Sequence, residues 1–137
     1  MEQVKILVAD DERIERSILC RKISRVLGEC CQIIQAENGR EAVSLFEEKR
    51  PQIAVLDIAM PGINGIEAAA RIRQMDSDCI LIFLTAYSDF HYSVQAIRLR
   101  ALDYLTKPCD NDELFAVLET AVYQAQSRLE KEEQGQP

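Results

Sequence analysis

The stretch VLDIAMPGING, residues 55–65, decides how the rest of the chain is read. An apolar run stops at one carboxylate, Asp57, and a Met-Pro-Gly turn follows at once. What a single carboxylate does at the end of a buried strand depends on two further stretches, VADDE at 8–12 and DYLTKP at 103–108.

Outward from residue 57 the chain alternates between two patterns. Short apolar runs rich in β-branched residues recur as VKILVA (4–9), QIIQA (32–36), IAVLD (53–57), CILIFLT (79–85) and ALDYL (101–105). Their near-continuous apolar character predicts strands buried on both faces, as in a parallel sheet. Between them the apolar residues fall at helical spacing. Ile14, Ile18, Ile23, Val26 and Leu27 predict one stripe, Phe90, Val94, Ile97 and Ala101 another. The clearest is Leu114, Leu118, Ala121, Val122, Ala125 and Leu129. Asn38 with Glu41, and Asp110 with Glu113, have the spacing of helix N-caps. Five βα units in sequence predict an α/β fold, an open, doubly wound parallel sheet with helices on both faces. Residues 1–128 are expected to form the domain. The polar tail EKEEQGQP is expected to fray, with 129–137 starting a linker to a further C-terminal domain.

The bulk composition excludes several function classes. A chain of 137 residues suits a single core, and 47% hydrophobic with 28% charged residues argues against disorder. A net charge of −7 argues against nucleic-acid binding by these residues themselves, because phosphate backbones attract clustered Lys and Arg. No apolar run reaches the roughly 18 residues of a membrane span, and no basic n-region of a signal peptide is present, so a cytoplasmic protein is expected. Cys20, Cys30, Cys31, Cys79 and Cys109 are odd in number and lack C-x-x-C spacing, and His91 is the only histidine. That pattern argues against zinc and predicts buried or half-buried thiols of a reducing compartment. His91 reads as a surface helix residue without a role.

In a doubly wound sheet, ligands bind at the carboxyl ends of the strands. The first predicted strand ends in Asp10, Asp11 and Glu12, the third in Asp57 and the fourth in Thr85, and Lys107 follows the fifth. Two unit charges ~4 Å apart interact by about 4 kcal/mol at an effective dielectric near 20, so converging carboxylates would repel strongly. A hard divalent cation removes that conflict, and magnesium prefers such oxygen donors. Lys107 adds a point charge suited to a phosphoryl oxygen. Asp57 could then act as a nucleophile that forms an aspartyl-phosphate, with the Thr85 hydroxyl donating to one of its oxygens. Gly62 and Gly65 give the turn after Asp57 backbone freedom.

With Asp10-Asp11, the D-x-x-M-P-G stretch from Asp57 to Gly62, Thr85-Ala86 and Lys107-Pro108, the chain resembles the receiver domain of two-component response regulators over about residues 4–128. The resemblance implies a flavodoxin-like sheet of strand order 2-1-3-4-5. It implies Asp57 as phosphoacceptor from a sensor histidine kinase. Asp11, Asp57 and the Ala59 backbone carbonyl would be direct magnesium ligands, and Asp10 a ligand through water. It implies a salt-bridging Lys107 with a cis bond to Pro108, a conformation accessible because the X–Pro trans preference is only about 0.5–1 kcal/mol. Thr85 and Tyr104 would be the switch pair, and the fourth helix, fifth strand and fifth helix a face for homodimers. The protein would be a signalling switch and not a turnover enzyme. Residues 85–108 further resemble receivers joined to an AraC-type helix-turn-helix domain, so DNA would be bound only by a C-terminal domain outside these residues. Ala59 and Tyr87 occupy positions that tune phosphoryl lifetime in the family, and neither is an acid or amide here.

Two rival readings remain at this level. A phosphorylation-independent pseudo-receiver would act as a protein-interaction module, but such chains usually lose an acid or the lysine. An aspartyl phosphohydrolase would want a second acid two residues after Asp57, where Ala59 stands.

Overall fold

The computed structural model describes residues 3–86 and 90–135. Five strands, β1 (Val4–Ala9), β2 (Cys31–Ala36), β3 (Ile53–Leu56), β4 (Ile80–Thr85) and β5 (Asp103–Thr106), alternate with five helices. The helices are α1 (Arg13–Leu27), α2 (Gly39–Lys49), α3 (Gly65–Met75), α4 (Phe90–Arg98) and α5 (Asn111–Glu133), and a 3-10 turn, Gly28–Cys30, precedes β2. All strand pairs are parallel, in the order β2-β1-β3-β4-β5. Burial along the strands explains that order. Every residue of β3 and β4 is buried, so these strands need neighbours on both sides and helices on both faces. β2 and β5 alternate with exposed residues and lie at the edges.

The core divides across the sheet because successive strand residues point to opposite faces. Ile6, Val8, Val55 and Ile82 pack against Leu19 and Ile23 of α1 and Leu114, Leu118 and Ala121 of α5. Leu7, Leu56, Leu81 and Phe83 pack against Phe46 of α2, Ile66 and Ile72 of α3 and Ala96 of α4. The sheet is thus doubly wound, as the alternating pattern predicts.

Two helices match the expected stripes only in part: in α1, Ile23 is buried and Leu27 packs on the core as expected, but the rest of the stripe is rotated. In α1 the buried stripe is Arg16, Leu19, Cys20 and Ile23, whereas Ile14 is 75% exposed and Ile18 and Val26 are also exposed. In α4, Phe90 and Ile97 face solvent, at 81% and 75% exposure, and Val94 is half-buried. The helix packs instead through Ala96, flanked by Tyr92 and Leu99. Residues 92, 96 and 99 keep helical spacing as well as 90, 94 and 97 do, so periodicity alone cannot choose between the two stripes. Ala101 lies beyond α4 and ahead of β5, which begins at Asp103.

The caps are also partly as expected. The Asn38 side chain accepts from the Glu41 N–H at 2.8 Å. Asp110 caps α5 through the Asp112 N–H at 3.1 Å, one residue earlier than the expected Glu113. Asn64 and Glu67 form a full capping box at the start of α3. Helix α5 continues through Glu133 instead of fraying after Leu129. Cys30 is exposed, unlike the buried Cys20 and Cys79 and the half-buried Cys31 and Cys109. Tyr87 lies outside the described residues. No helix among the described residues is long and apolar enough to cross a membrane.

Candidate functional site

The ends of β1 and β3 place two carboxylates side by side. The Asp10 N–H donates to the Ala36 carbonyl at 3.1 Å and the Asp57 N–H to the Ala9 carbonyl at 3.0 Å, so the ladder extends one residue past each strand and fixes both acids at its rim. Asp10 and Asp57 are buried, at 2% and 8% exposure, while Asp11 is exposed. One carboxylate oxygen from each of Asp10, Asp11 and Asp57 lies within 4.8 Å of the others. Glu12, which the sequence groups with them, is instead the exposed N-cap residue of α1 and stands outside this cluster.

Lys107 enters from the other side of the crevice. Its N–H donates to the Thr85 carbonyl at 2.8 Å, which anchors it just past β5. Its Nζ reaches Asp10 Oδ2 at 3.0 Å and Asp57 Oδ2 at 3.1 Å. The Lys107-Pro108 bond is cis. Burial alone would push the Lys107 ammonium down, but the hydrogen bonds it donates to Glu15 and Asp10 and the charge of Asp57 outweigh it and hold the group above the ordinary lysine range. Burial likewise pushes the Asp10 carboxyl up from 3.8, and the Glu12 N–H and Lys107 only partly offset it. Glu12 is raised chiefly by the charge of Glu15.

The turn after Asp57 shapes the open side. The Ala59 N–H donates to Asp57 Oδ1 at 3.2 Å, and the Met60 and Gly65 N–H groups both bond the Ile58 carbonyl, at 2.9 and 3.0 Å. Gly62 has φ +75°, a left-handed conformation that glycine adopts without strain. A Cβ at Gly65 would overlap the Asp57 carbonyl, so this position needs a glycine for close approach rather than for its dihedral. Thr85 is fully buried at the end of β4. Tyr104 is half-buried on β5, its ring tilted at 45° to Phe83 with centroids 6.2 Å apart. His91 is an exposed residue of α4.

Two site residues escape sequence reasoning. Glu15 Oε2 makes the shortest contact to Lys107 Nζ, 2.8 Å. An acid in the first turn of a helix has a sufficient explanation in the helix dipole, which masks a second purpose. Arg16 is 6% exposed; its Nη1 donates to the Asp10 carbonyl at 2.7 Å and its Nε to Gln35 Oε1 at 3.1 Å, bracing the backbone that holds Asp10. Spacing gives no sign that an arginine would be buried there. Beside Lys107 a cleft of about 440 Å³ opens between α1 and the start of α5, lined by Glu15, Ile18, Lys22, Cys109 and Leu114.

The donor set suits a hard divalent cation. One ammonium pairs with three carboxylates and Asp11 adds a fourth acid beside them, so the crevice keeps an excess of negative charge, and its converging ligands are oxygens.

Comparison with known proteins places these features in a family. Residues 6–119 match the family model described as response regulator receiver domain. The chain is 43% identical over 108 residues to the sensory transduction protein LytT of Oceanobacillus iheyensis, covering 77% of this chain and 43% of that protein. It is 37% identical over 114 residues to the transcriptional regulatory protein HptR of Staphylococcus aureus, covering 83% and 44%. The chain therefore spans less than half the length of these curated relatives. Among solved structures, the receiver domain of AraT, a response regulator from Geobacillus stearothermophilus, superposes with a TM-score of 0.75 at 31% identity, covering 95% of this chain and 98% of that one.

Proposed function

The chain belongs to the response regulator receiver domain family, and from that premise we propose that it is a phosphorylation-activated signalling switch whose phosphoacceptor is Asp57. The observation that carries this reading is Lys107 Nζ held 3.0 Å from Asp10 and 3.1 Å from Asp57 at the rim of the sheet. A carboxylate oxygen of Asp57 attacks the phosphorus of a phosphohistidine on a sensor histidine kinase. The P–O bond forms, the P–N bond breaks, and the imidazole nitrogen keeps the electron pair. Lys107 turns from the Asp57 carboxylate toward the transferred phosphoryl oxygens, and the Thr85 hydroxyl donates to one of them. Asp11, Asp57 and the Ala59 carbonyl would hold magnesium directly, with Asp10 acting through water, and the bound ion supplies charge neutralisation to the phosphoryl group.

The added charge of roughly −1.5 to −2 biases Thr85 and Tyr104 toward an active arrangement that alters the α4-β5-α5 face. That face can serve a homodimer. The chain promotes its own phosphorylation and dephosphorylation without turning over a substrate. Ala59 offers no acid or amide to a hydrolytic water. Five free thiols suit the reducing cytoplasm.

Residues 1–128 are read as the receiver and 129–137 as the start of a connection to a DNA-binding output domain. The name of the HptR relative supports transcription as the output. The AraC-type class rests on residues 85–108, and the relatives' names do not carry it. A helix-turn-helix pattern in the downstream sequence is the expected outcome, and any other domain there would remove that class.

The test of the switch is incubation of the chain with magnesium and acetyl phosphate, read by intact mass. A gain of one phosphoryl group that is lost in Asp57→Asn is expected. No gain in the unaltered chain would leave the pseudo-receiver as the reading.

A further inference from the structure

A second pair of reactive side chains meets far from the carboxylates. Cys30 ends the 3-10 turn and Cys31 begins β2, the edge strand. Within a strand, consecutive side chains point to opposite faces. The change from turn to strand between these two residues instead leaves their Sγ atoms 3.6 Å apart. Cys30 is exposed, and its thiol donates to the Leu27 carbonyl at 2.7 Å, while Cys31 is half-buried. Cys20 and Cys79 are buried, and among the described residues no other two thiols are in contact.

Adjacent thiols can be oxidised to a disulfide, or both can grip one thiophilic atom. Backbone geometry discriminates between the two. The Cys30-Cys31 bond is trans, so the Cα atoms stand about 3.8 Å apart, below the roughly 4.4–6.8 Å usual for disulfides, and a disulfide here would be strained. The sulfurs would also have to close from 3.6 Å to about 2.05 Å. A bridging atom makes no such demand. Two sulfurs each about 2.3 Å from one soft centre stand roughly 3.3–3.8 Å apart for angles from about 90° at a pyramidal centre to tetrahedral, a range that includes the observed separation.

We propose that Cys30 and Cys31 form a surface dithiol site for a soft, thiophilic centre of the trivalent arsenical class. Capture is a condensation without change of oxidation state. Both S–H bonds and the As=O bond of an organoarsine oxide break, two As–S bonds form, and the oxygen leaves with the two protons as water. Burial, followed by the neighbouring Cys30, pushes the Cys31 thiol up to about 12. Exposed Cys30 therefore engages first and Cys31 closes the chelate. The site lies at the amino end of β2, whereas Asp10 bonds Ala36 at its carboxyl end, so capture and phosphorylation are independent.

The probe is phenylarsine oxide, added to the fully reduced 137-residue chain and read by intact mass. The expected product is one adduct, equal to the probe less one water, that survives excess glutathione and is stripped by a small dithiol. Cys30→Ser and Cys31→Ser each lose the glutathione-resistant adduct, while Cys109→Ser and Asp57→Asn keep it. Absence of a resistant adduct on the unaltered chain, or its persistence in Cys30→Ser, overturns the proposal. Because Cys30 is exposed, that variant tests the site without disturbing the core.

Discussion

Lys107 shares one ammonium among Asp10, Asp57 and Glu15, and the last of these is the most exposed of the three acids, its side chain 45% accessible. Glu15 is therefore the partner that can be removed with least effect on the fold. Two charges ~4 Å apart in water interact by about 1 kcal/mol, which corresponds to about fivefold in an equilibrium. Glu15→Gln relieves repulsion of an anionic donor and frees Lys107, so the concentration of acetyl phosphate for half-maximal phosphorylation rate should fall by up to about fivefold, with little change in the limiting rate. An unchanged or higher half-saturating concentration would show that Glu15 does not hold Lys107 back. Asp10 makes a prediction of opposite kind. Burial raises its carboxyl above 3.8, so the native state holds that proton more tightly than the unfolded chain does. Its stabilising share is complete below the unfolded value and is lost as pH rises through the native one. In a chelating buffer at neutral pH, Asp10→Asn should raise Tm by a few degrees, the scale of about 1 kcal/mol in a small domain. The gain should shrink as the pH is lowered toward 3.8. A lower Tm for the variant at neutral pH would contradict this.

At the scale of elements, α4 shows how packing chooses between two apolar stripes of one helix. It buries Ala96 between Tyr92 and Leu99 and leaves Phe90 and Ile97 in solvent. Large exposed apolar side chains are common singly, but this pair lies on the face proposed to dimerise, and Tyr123 of α5 is 73% exposed as well. Ile97→Lys should keep the phosphorylated chain monomeric by light scattering while leaving phosphoryl uptake at Asp57 unchanged. A dimer that persists in the variant would move the interface elsewhere. The sequence does reveal that α4 is helical and apolar on part of its surface. The face that turns inward depends on the position of β5 and of the loop that leads to it, and those are set by contacts remote in sequence.

For the whole molecule, the site is a property of strand order. Asp10 and Asp57 become neighbours because β1 lies beside β3, and Lys107 joins them because β5 closes the same side of the sheet next to β4. The folded chain therefore brings Asp57 to the Asp10-Asp11 pair, from which the unfolded chain keeps it apart, and an ion bound only by the native state stabilises it. Magnesium at 100 times its Kd would add about 2.7 kcal/mol, a rise of several degrees in Tm. Removing it with a chelator should reverse the shift, and Asp11→Asn should abolish most of it. Equal melting curves with and without magnesium in the unaltered chain would remove the ion from the site.

The βα alternation and the convergence of Asp10, Asp11, Asp57 and Lys107 at one rim are legible in the sequence. Continuous apolar runs give strands buried on both faces, and polar residues that end those runs must collect at one rim of a parallel sheet. That reasoning requires only the chain's own period and punctuation, which is why Asp10, Asp11, Asp57, Thr85 and Lys107 could be named from residues 8–12, 55–65, 79–85 and 103–108. Tertiary structure alone decided what periodicity leaves degenerate: the inward stripes of α1 and α4, the burial of Arg16 under Asp10, the reach of Glu15 to Lys107 and the contact of two consecutive thiols. Each depends on where a neighbour distant in sequence, or a break in local geometry, places a side chain. Local patterning constrains an element's period, whereas packing against the rest of the molecule sets its rotation.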